Sequence, residues 1–304
     1  MDAHREDRIA RATLGWLFEP GDRQLGTLLD SCGPREALTA LRRTDAPAGV
    51  RADLWHRYGS DVWSRAAEAI QFAEHCGVRV LIPADGDWPR GLHGRRAPVC
   101  LWARGPAPVP QPQDTVTIVG TRVSTAYGNE VAADLACALG RQGRTVMSTL
   151  NVGIDDAALG AALANDGVTV AVLGGGLDQM SVHARHRWRP LIENGLLLSV
   201  WPLGTPPSPD RVQARGRLLA ALSAGTVLVE ASLHCPALQI LRYALDQGRV
   251  GMVVPGPVTS GLSTVPHQLL RTDPRVRLVT NAADVIADLR AHLAPDATEE
   301  GTRR

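Results

Sequence analysis

The stretch TVTIVGTRVSTAYGNEVAADLA, residues 115–136, sets Gly120, Thr121 and Arg122 between an apolar run and a helical pattern. A strand, a glycine turn and a helix start make an anion cradle. The first helical N–H groups lack partners and carry about half a positive charge between them. Arg122 would add a two-pronged donor that suits a phosphate, and Gly128 falls in the first turn of the helix. The G-x-G-x-x-G fingerprint is missing and so is the P-loop lysine, so this is neither of the two common nucleotide cradles. Taken alone, the triplet is better read as a turn glycine beside a surface arginine.

Further along, STLNVGIDDAALGAAL, residues 148–163, places Ser148 at a strand end, Gly153 in a turn and Asp155 where it would cap the next helix. Capping is the common role for such an aspartate, and a catalytic carboxylate the rarer one. VAVLGGGLD, residues 170–178, holds three glycines with Gly175 in the middle, where a backbone can approach a ligand or a loop can simply flex. Arg211 precedes a helix expected over 212–223, and Arg215 and Arg217 fall at its start. Cations there oppose the helix dipole, which points to a compensating anion. HARHRWRP, residues 183–190, sets Arg185, Arg187 and Arg189 around Trp188. That pattern fits a path for a single strand of nucleic acid, or a solvated helix face with one tryptophan in the core. Glu230 closes the apolar run TVLVEA. His183, His186, His234 and His267 have no H-x-x-x-H or H-E-x-x-H spacing, so no metal is expected. No G-x-S-x-G elbow occurs either.

All 32 basic residues are arginine. Schiff-base chemistry, a Walker lysine and a Ser-Lys dyad are thereby excluded. The net charge of +1 argues against an overall positive coat while permitting a local arginine patch. Cys32, Cys76, Cys100, Cys137 and Cys235 show no C-x-x-C spacing and are expected as reduced thiols. No apolar run is long enough to cross a bilayer and the first 25 residues show no signal-peptide pattern, so a cytoplasmic protein is expected, with no membrane partner.

These residues need a frame. Residues 1–105 are expected to form a helical N-terminal domain that ends in a strand-and-loop approach segment. Its amphipathic pieces are DRIARATLGWLF, RQLGTLLDSCG, PREALTALRR and a helix over roughly 60–76, followed by the strand VRVLIP. Residues 106–114 read as a Pro- and Gln-rich linker. From 115 to 293, six short apolar runs (TVTIVG, RTVMST, VTVAVLG, LLLSV, TVLVEA and GMVVPG) alternate with helices at 126–142, 155–166, 184–194, 212–223 and 235–247. That alternation implies an α/β fold: a Rossmann-like, doubly wound, mostly parallel sheet that binds ligands at the carboxyl ends of its strands. Residues 294–304 are a polar tail.

In this order the motifs resemble the DprA/Smf family of DNA-processing proteins over residues 115 to about 290, and more weakly over GVRVLIPADGDWPRGLHGRRAPVCLWARG before them. Gly120, Arg122 and Gly128 match the family's first motif. Ser148, Gly153, Ile154 and Asp155 match the second, and VAVLGGGLD the third. Arg215 and Arg217 match an Arg-Asn-Arg signature that continues into LLAALS. Glu230-Ala231, ALDQGR and Pro255-Gly256 follow. The resemblance implies binding of single-stranded DNA in a positive pocket, a homodimer, loading of a RecA-type recombinase during uptake of foreign DNA, and neither catalysis nor a cofactor. It assigns strand contacts to Gly120, Thr121, Arg122, Gly128, Ser148, Gly153, Asp155, Gly175, Arg215, Arg217 and Glu230, with the guanidiniums converging over open backbone amides. The chain departs from the pattern at Thr149 (glycine expected), Leu159 (histidine), Gly216 (asparagine), Cys235-Pro236 (Ser-Gly), His267 (asparagine) and Ser181-Val182 (Tyr-Pro). No winged-helix segment is expected after the sheet.

Two alternatives stand beside this reading. One is a nucleotide-hydrolysing protein related to phosphoribohydrolases, in which Glu230 and Arg122 would act as a pair, although the P-G-G-x-G-T loop of those enzymes is absent. The other is a scaffold or nucleotide sensor with a partly vestigial pocket.

Overall fold

The computed structural model describes residues 3–42 and 62–293. The polar tail and the first residues of the helix expected from about 60 lie outside them. Nine strands are described: β1 (Val78–Leu81), β2 (Leu101–Arg104), β3 (Thr115–Val119), β4 (Thr145–Ser148), β5 (Thr169–Val172), β6 (Leu196–Ser199), β7 (Gly225–Leu228), β8 (Val250–Val253) and β9 (Val276–Leu278). The fold is α/β and mostly parallel. All six expected apolar runs are strands, β3 to β8. The chain divides into two compact units, each made from two stretches of sequence: Met1–Pro110 with Thr169–Leu218, and Gln111–Val168 with Leu219–Arg304.

The first unit orders its strands β1-β2-β6-β5. β2 runs antiparallel to both neighbours, with Leu101 opposite Leu81 and Trp102 opposite Ser199, whereas β5 and β6 are parallel. Helix Ala3–Leu17 buries Ile9, Ala10, Thr13, Leu14 and Leu17, which recur at the three-to-four spacing of one helix face. That face packs into a core with Phe18, Leu25, Ala37, Leu38 and Leu41. Helix Arg23–Arg42 breaks at Gly33 (φ 79°), directly before Pro34, where the sequence separates two helical pieces. The helix expected over 184–194 is two short helices, Val182–Arg187 and Arg189–Asn194. They meet at Trp188, and Pro190 opens the second. Trp188 is buried in the core while the arginines around it are engaged locally. Arg185 donates to the carbonyls of Asp178 (2.7 Å) and Met180 (3.1 Å), Arg187 lies over the Trp188 ring, and Arg189 pairs with Glu193. This is the solvated-face reading of that run.

The second unit orders its strands β4-β3-β7-β8-β9, all parallel. Every residue of β3, β4, β7 and β8 is buried, which is why these strands read as unbroken apolar runs rather than alternating ones. β9 is an edge strand that buries only Val276. Helix Ala126–Arg141 turns Ala132, Leu135, Ala136 and Leu139 onto the sheet, where they join Val116, Ile118, Val146, Val227 and Met252 in one core. Burying each large aliphatic side chain contributes about 1.5–3 kcal/mol. The parallel order leaves the loops after β4, β3, β7 and β8 side by side at the carboxyl ends of their strands.

Candidate functional site

Eight of the eleven expected site residues lie in the second unit at those strand ends: Gly120, Thr121, Arg122, Gly128, Ser148, Gly153, Asp155 and Glu230. The turn after β3 can form only because position 120 lacks a side chain. A Cβ there would lie 2.5 Å from Ile154 Cγ1 and 2.9 Å from the Glu230 carbonyl oxygen. Gly153, at φ 88°, holds its turn against the Thr121 and Arg122 carbonyls. Backbone bonds link the loops: Thr121 N donates to Glu230 O at 2.8 Å, and Ile154 N donates to Thr121 O at 3.3 Å.

Several amides of the cradle, those of Gly120, Thr121, Thr125 and Gly128, are taken within the chain where the sequence reading expects them open. Thr125 caps helix Ala126–Arg141, its hydroxyl accepting from Gly128 N at 3.0 Å. The Glu230 carboxylate then takes the Thr125 N–H at 2.9 Å and the Thr125 hydroxyl at 2.6 Å. Glu230 is 2% exposed. The cradle therefore already holds an anion, and it belongs to the protein. Physically this is the expected outcome, because a helix N-terminus favours whichever carboxylate can reach it.

Asp155 was expected as a helix cap, but Gly153 occupies the cap position and Asp155 sits in the first turn of helix Ile154–Ala164. Its carboxylate turns back across the loops and accepts from Gly120 N at 3.2 Å, from the Thr149 hydroxyl and from Asn151 Nδ2 at 3.3 Å. Thr149, where the resemblance implies glycine, thus supplies a donor to a buried carboxylate. Ser148 faces the sheet, its hydroxyl donating to Ile118 O at 2.6 Å. Replacing Thr149 with valine should cost about 1–2 kcal/mol in urea unfolding, because a buried acceptor loses a partner. A stability equal to the parent's would remove Thr149 from this network.

Arg122 stands apart from its neighbours. It is exposed, and among the described residues no hydrogen bond or ion pair holds its guanidinium. Its charge still reaches Cys235, whose thiol is pushed up mainly by burial and by the Asp155 carboxylate, with Arg122 pulling the other way. The Tyr127 hydroxyl donates to Pro255 O at 2.6 Å, tying the loop after β8 to this turn, and burial and Glu230 raise its titration. Thr125, Asn151 and Tyr127 were not picked out from the sequence as site residues, and Thr149 was noted there only as a departure from the family pattern. Of these, only Thr125 carried a local signal, a threonine directly before a helical pattern.

Gly175, Arg215 and Arg217 belong to the first unit. Gly175 does let a backbone approach closely, but the backbone is the chain's own: a Cβ would lie 2.9 Å from Pro207 N and Thr205 O. Arg215 and Arg217 were expected at a helix start. Their helix begins at Pro209, so both lie well inside it, and the dipole argument does not apply. Arg215 is buried and Arg217 exposed. Arg211, nearer that start, is held by Glu19 at 2.5 Å and by Pro206 O at 2.9 Å. Among the described residues, no group of three or more His, Cys, Asp or Glu is placed to hold a metal ion, and no helix is long and apolar enough to cross a membrane.

The sequence model of the DNA recombination-mediator protein A family matches residues 79–290. A DNA processing protein DprA from Mycobacterium tuberculosis is 37% identical over 292 residues, covering 91% of this chain and 74% of the relative. Protein Smf of Escherichia coli is 35% identical over 225 residues, covering 72% of this chain and 59% of its own. Among solved structures, DNA processing protein A of Streptococcus pneumoniae matches with a TM-score of 0.74 at 25% identity, over 93% of this chain and 97% of that one. A Helicobacter pylori structure, which describes that protein's single-stranded DNA binding mode, matches with a TM-score of 0.61 at 23% identity, over 70% of this chain and 96% of that one.

Proposed function

The chain belongs to the DNA recombination-mediator protein A family, the DprA/Smf DNA-processing proteins, and from that premise we propose that it binds single-stranded DNA. The observation that carries this reading is Arg122. It is an exposed guanidinium with no partner among the described residues, on a turn whose Gly120, Thr121 and Thr125 amides are taken by Asp155 and Glu230. With those amides occupied, the strand's phosphates are gripped by side chains rather than by a backbone cradle. Gly120, Thr121, Gly128, Ser148, Gly153, Asp155 and Glu230 then shape and present Arg122 instead of touching the strand. Arg217, exposed in the first unit, keeps its assignment to strand binding there, whereas the buried Gly175 and Arg215 serve that unit's own packing. In this reading the protein works as a cytoplasmic homodimer, takes part in recombination of incoming DNA and hands the strand to a RecA-type recombinase.

The protein performs no covalent step in this reading. Hydrolysis by a Glu230–Arg122 pair would need a carboxylate free to act on a substrate, and Glu230 is buried and committed to Thr125. That commitment supports the binding role over the nucleotide-hydrolysing one. Fluorescence anisotropy with labelled oligo-dT and with a duplex of equal length tests the proposal. The single strand should bind more tightly, and its log affinity should fall linearly with log salt, by about 0.7 for each phosphate contacted. Equal affinity for both, or release of free base from a nucleoside monophosphate, would count against it.

A further inference from the structure

The second unit carries its most exposed apolar side chains in one place. Among its described large apolar residues the four highest exposures are Val258 (90%), Val123 (81%), Val152 (65%) and Leu233 (63%). Each sits on a different loop, after β8, β3, β4 and β7 respectively, and these four strands are adjacent in the order β4-β3-β7-β8. Besides the Thr121–Glu230, Ile154–Thr121 and Tyr127–Pro255 bonds already described, Ala231 N donates to Leu262 O at 3.0 Å. The four loops therefore form one tied surface. Exposed apolar residues scattered singly need no explanation, but the highest exposures of a unit gathered at one end of its sheet do.

The charge of the surface restricts what can cover it. Along residues 120–125, 149–153, 229–236 and 254–263 the charged side chains are Arg122, the buried Glu230 and, when protonated, His234. Within these loop stretches no exposed carboxylate accompanies Arg122; the nearest along the chain that reach solvent, Glu130 and the half-buried Asp156, stand on the helices that follow. A second copy packed loop to loop would set arginine against arginine with no acid in these stretches to pair them, because an isologous interface presents the same patch twice. An unpaired strand brings what the surface lacks: phosphates for Arg122 and unstacked base faces for the aliphatic side chains. Aliphatic residues are known to hold unstacked bases and to contact the thymine methyl.

We propose that Val123, Val152, Leu233 and Val258 are the base-contacting residues of the strand-binding face, and that they select single strands over duplex. This rests on the single-strand reading above. In a duplex the base faces are stacked inside, so the aliphatic side chains gain nothing from it. Three ligands separate the outcomes in anisotropy: oligo-dT, an abasic oligomer of equal length, and a duplex. The parent protein should bind oligo-dT about tenfold tighter than the abasic oligomer, because apolar base surface is buried against the aliphatic side chains. The triple variant Val152→Ser/Leu233→Ser/Val258→Ser, altered only at exposed positions and checked by thermal melting, should lose that preference while keeping the abasic affinity. Equal affinity of the parent protein for oligo-dT and the abasic oligomer would overturn the proposal and leave the single-strand reading standing. So would a triple variant that retains the full preference. A dimer seen by light scattering in the parent protein and absent in the variant would give the surface to a second copy instead. Failure of the parent protein to bind any oligomer at low salt would remove both readings.

Discussion

Replacing Arg122 with alanine is expected to weaken oligo-dT binding by about tenfold to a hundredfold, because a charge-assisted contact to phosphate contributes about 1.5–3 kcal/mol. The salt dependence should become shallower by about 0.7 in log–log slope, the share of one phosphate on a single strand. Stability should stay within about 0.5 kcal/mol, since the side chain is exposed and makes no bond among the described residues. This combination is what identifies a contact residue: affinity and slope change while the unfolding curve does not. Arg122→Lys sharpens the test in a chain that has no lysine. It keeps the charge and loses the planar fork, so an intermediate affinity with the parent slope is expected. Unchanged affinity in both variants would take the strand away from this turn.

The same turn shows which features local sequence can carry. The strands β3 to β8 were legible because burial on both faces leaves continuous apolar runs. The break at Gly33-Pro34 was legible because both residues act on their own backbone. β9 was not, since an edge strand of Val276, Arg277 and Leu278 buries one residue and so writes no pattern. The misplaced start of helix Pro209–Ala221 had a readable signal in Ser208-Pro209, with the Ser208 hydroxyl accepting from Arg211 N. The roles of Asp155 and Glu230 had no such signal. Asp155 meets Gly120 across 35 positions and Glu230 meets Thr125 across 105, and neither pairing follows from any local rule. Residue types at strand ends showed where an anion would be favourable. They could not show that the chain supplies one itself.

That internal anion sets the second large effect. Glu230→Ala should destabilise the protein by about 3–5 kcal/mol, because two donors of Thr125 lose a charged acceptor in a buried position. The thermal midpoint should fall by roughly 10 °C. Glu230→Gln should lose less, since the amide oxygen still accepts while the charge is gone. Truncation also empties the cradle that the sequence advertises. With the carboxylate removed, the Thr125 N–H and hydroxyl face a cavity at a helix N-terminus, which is a favourable place for inorganic phosphate or sulfate. Phosphate should therefore raise the melting temperature of the alanine variant more than that of the parent protein, in proportion to the logarithm of its concentration above the dissociation constant. Equal shifts in both proteins would mean that Glu230 does not stand in for an external anion. A selective shift would mean that the geometry of a phosphate cradle lies beneath the carboxylate, and that Arg122 works at the surface because the deeper donors are already committed.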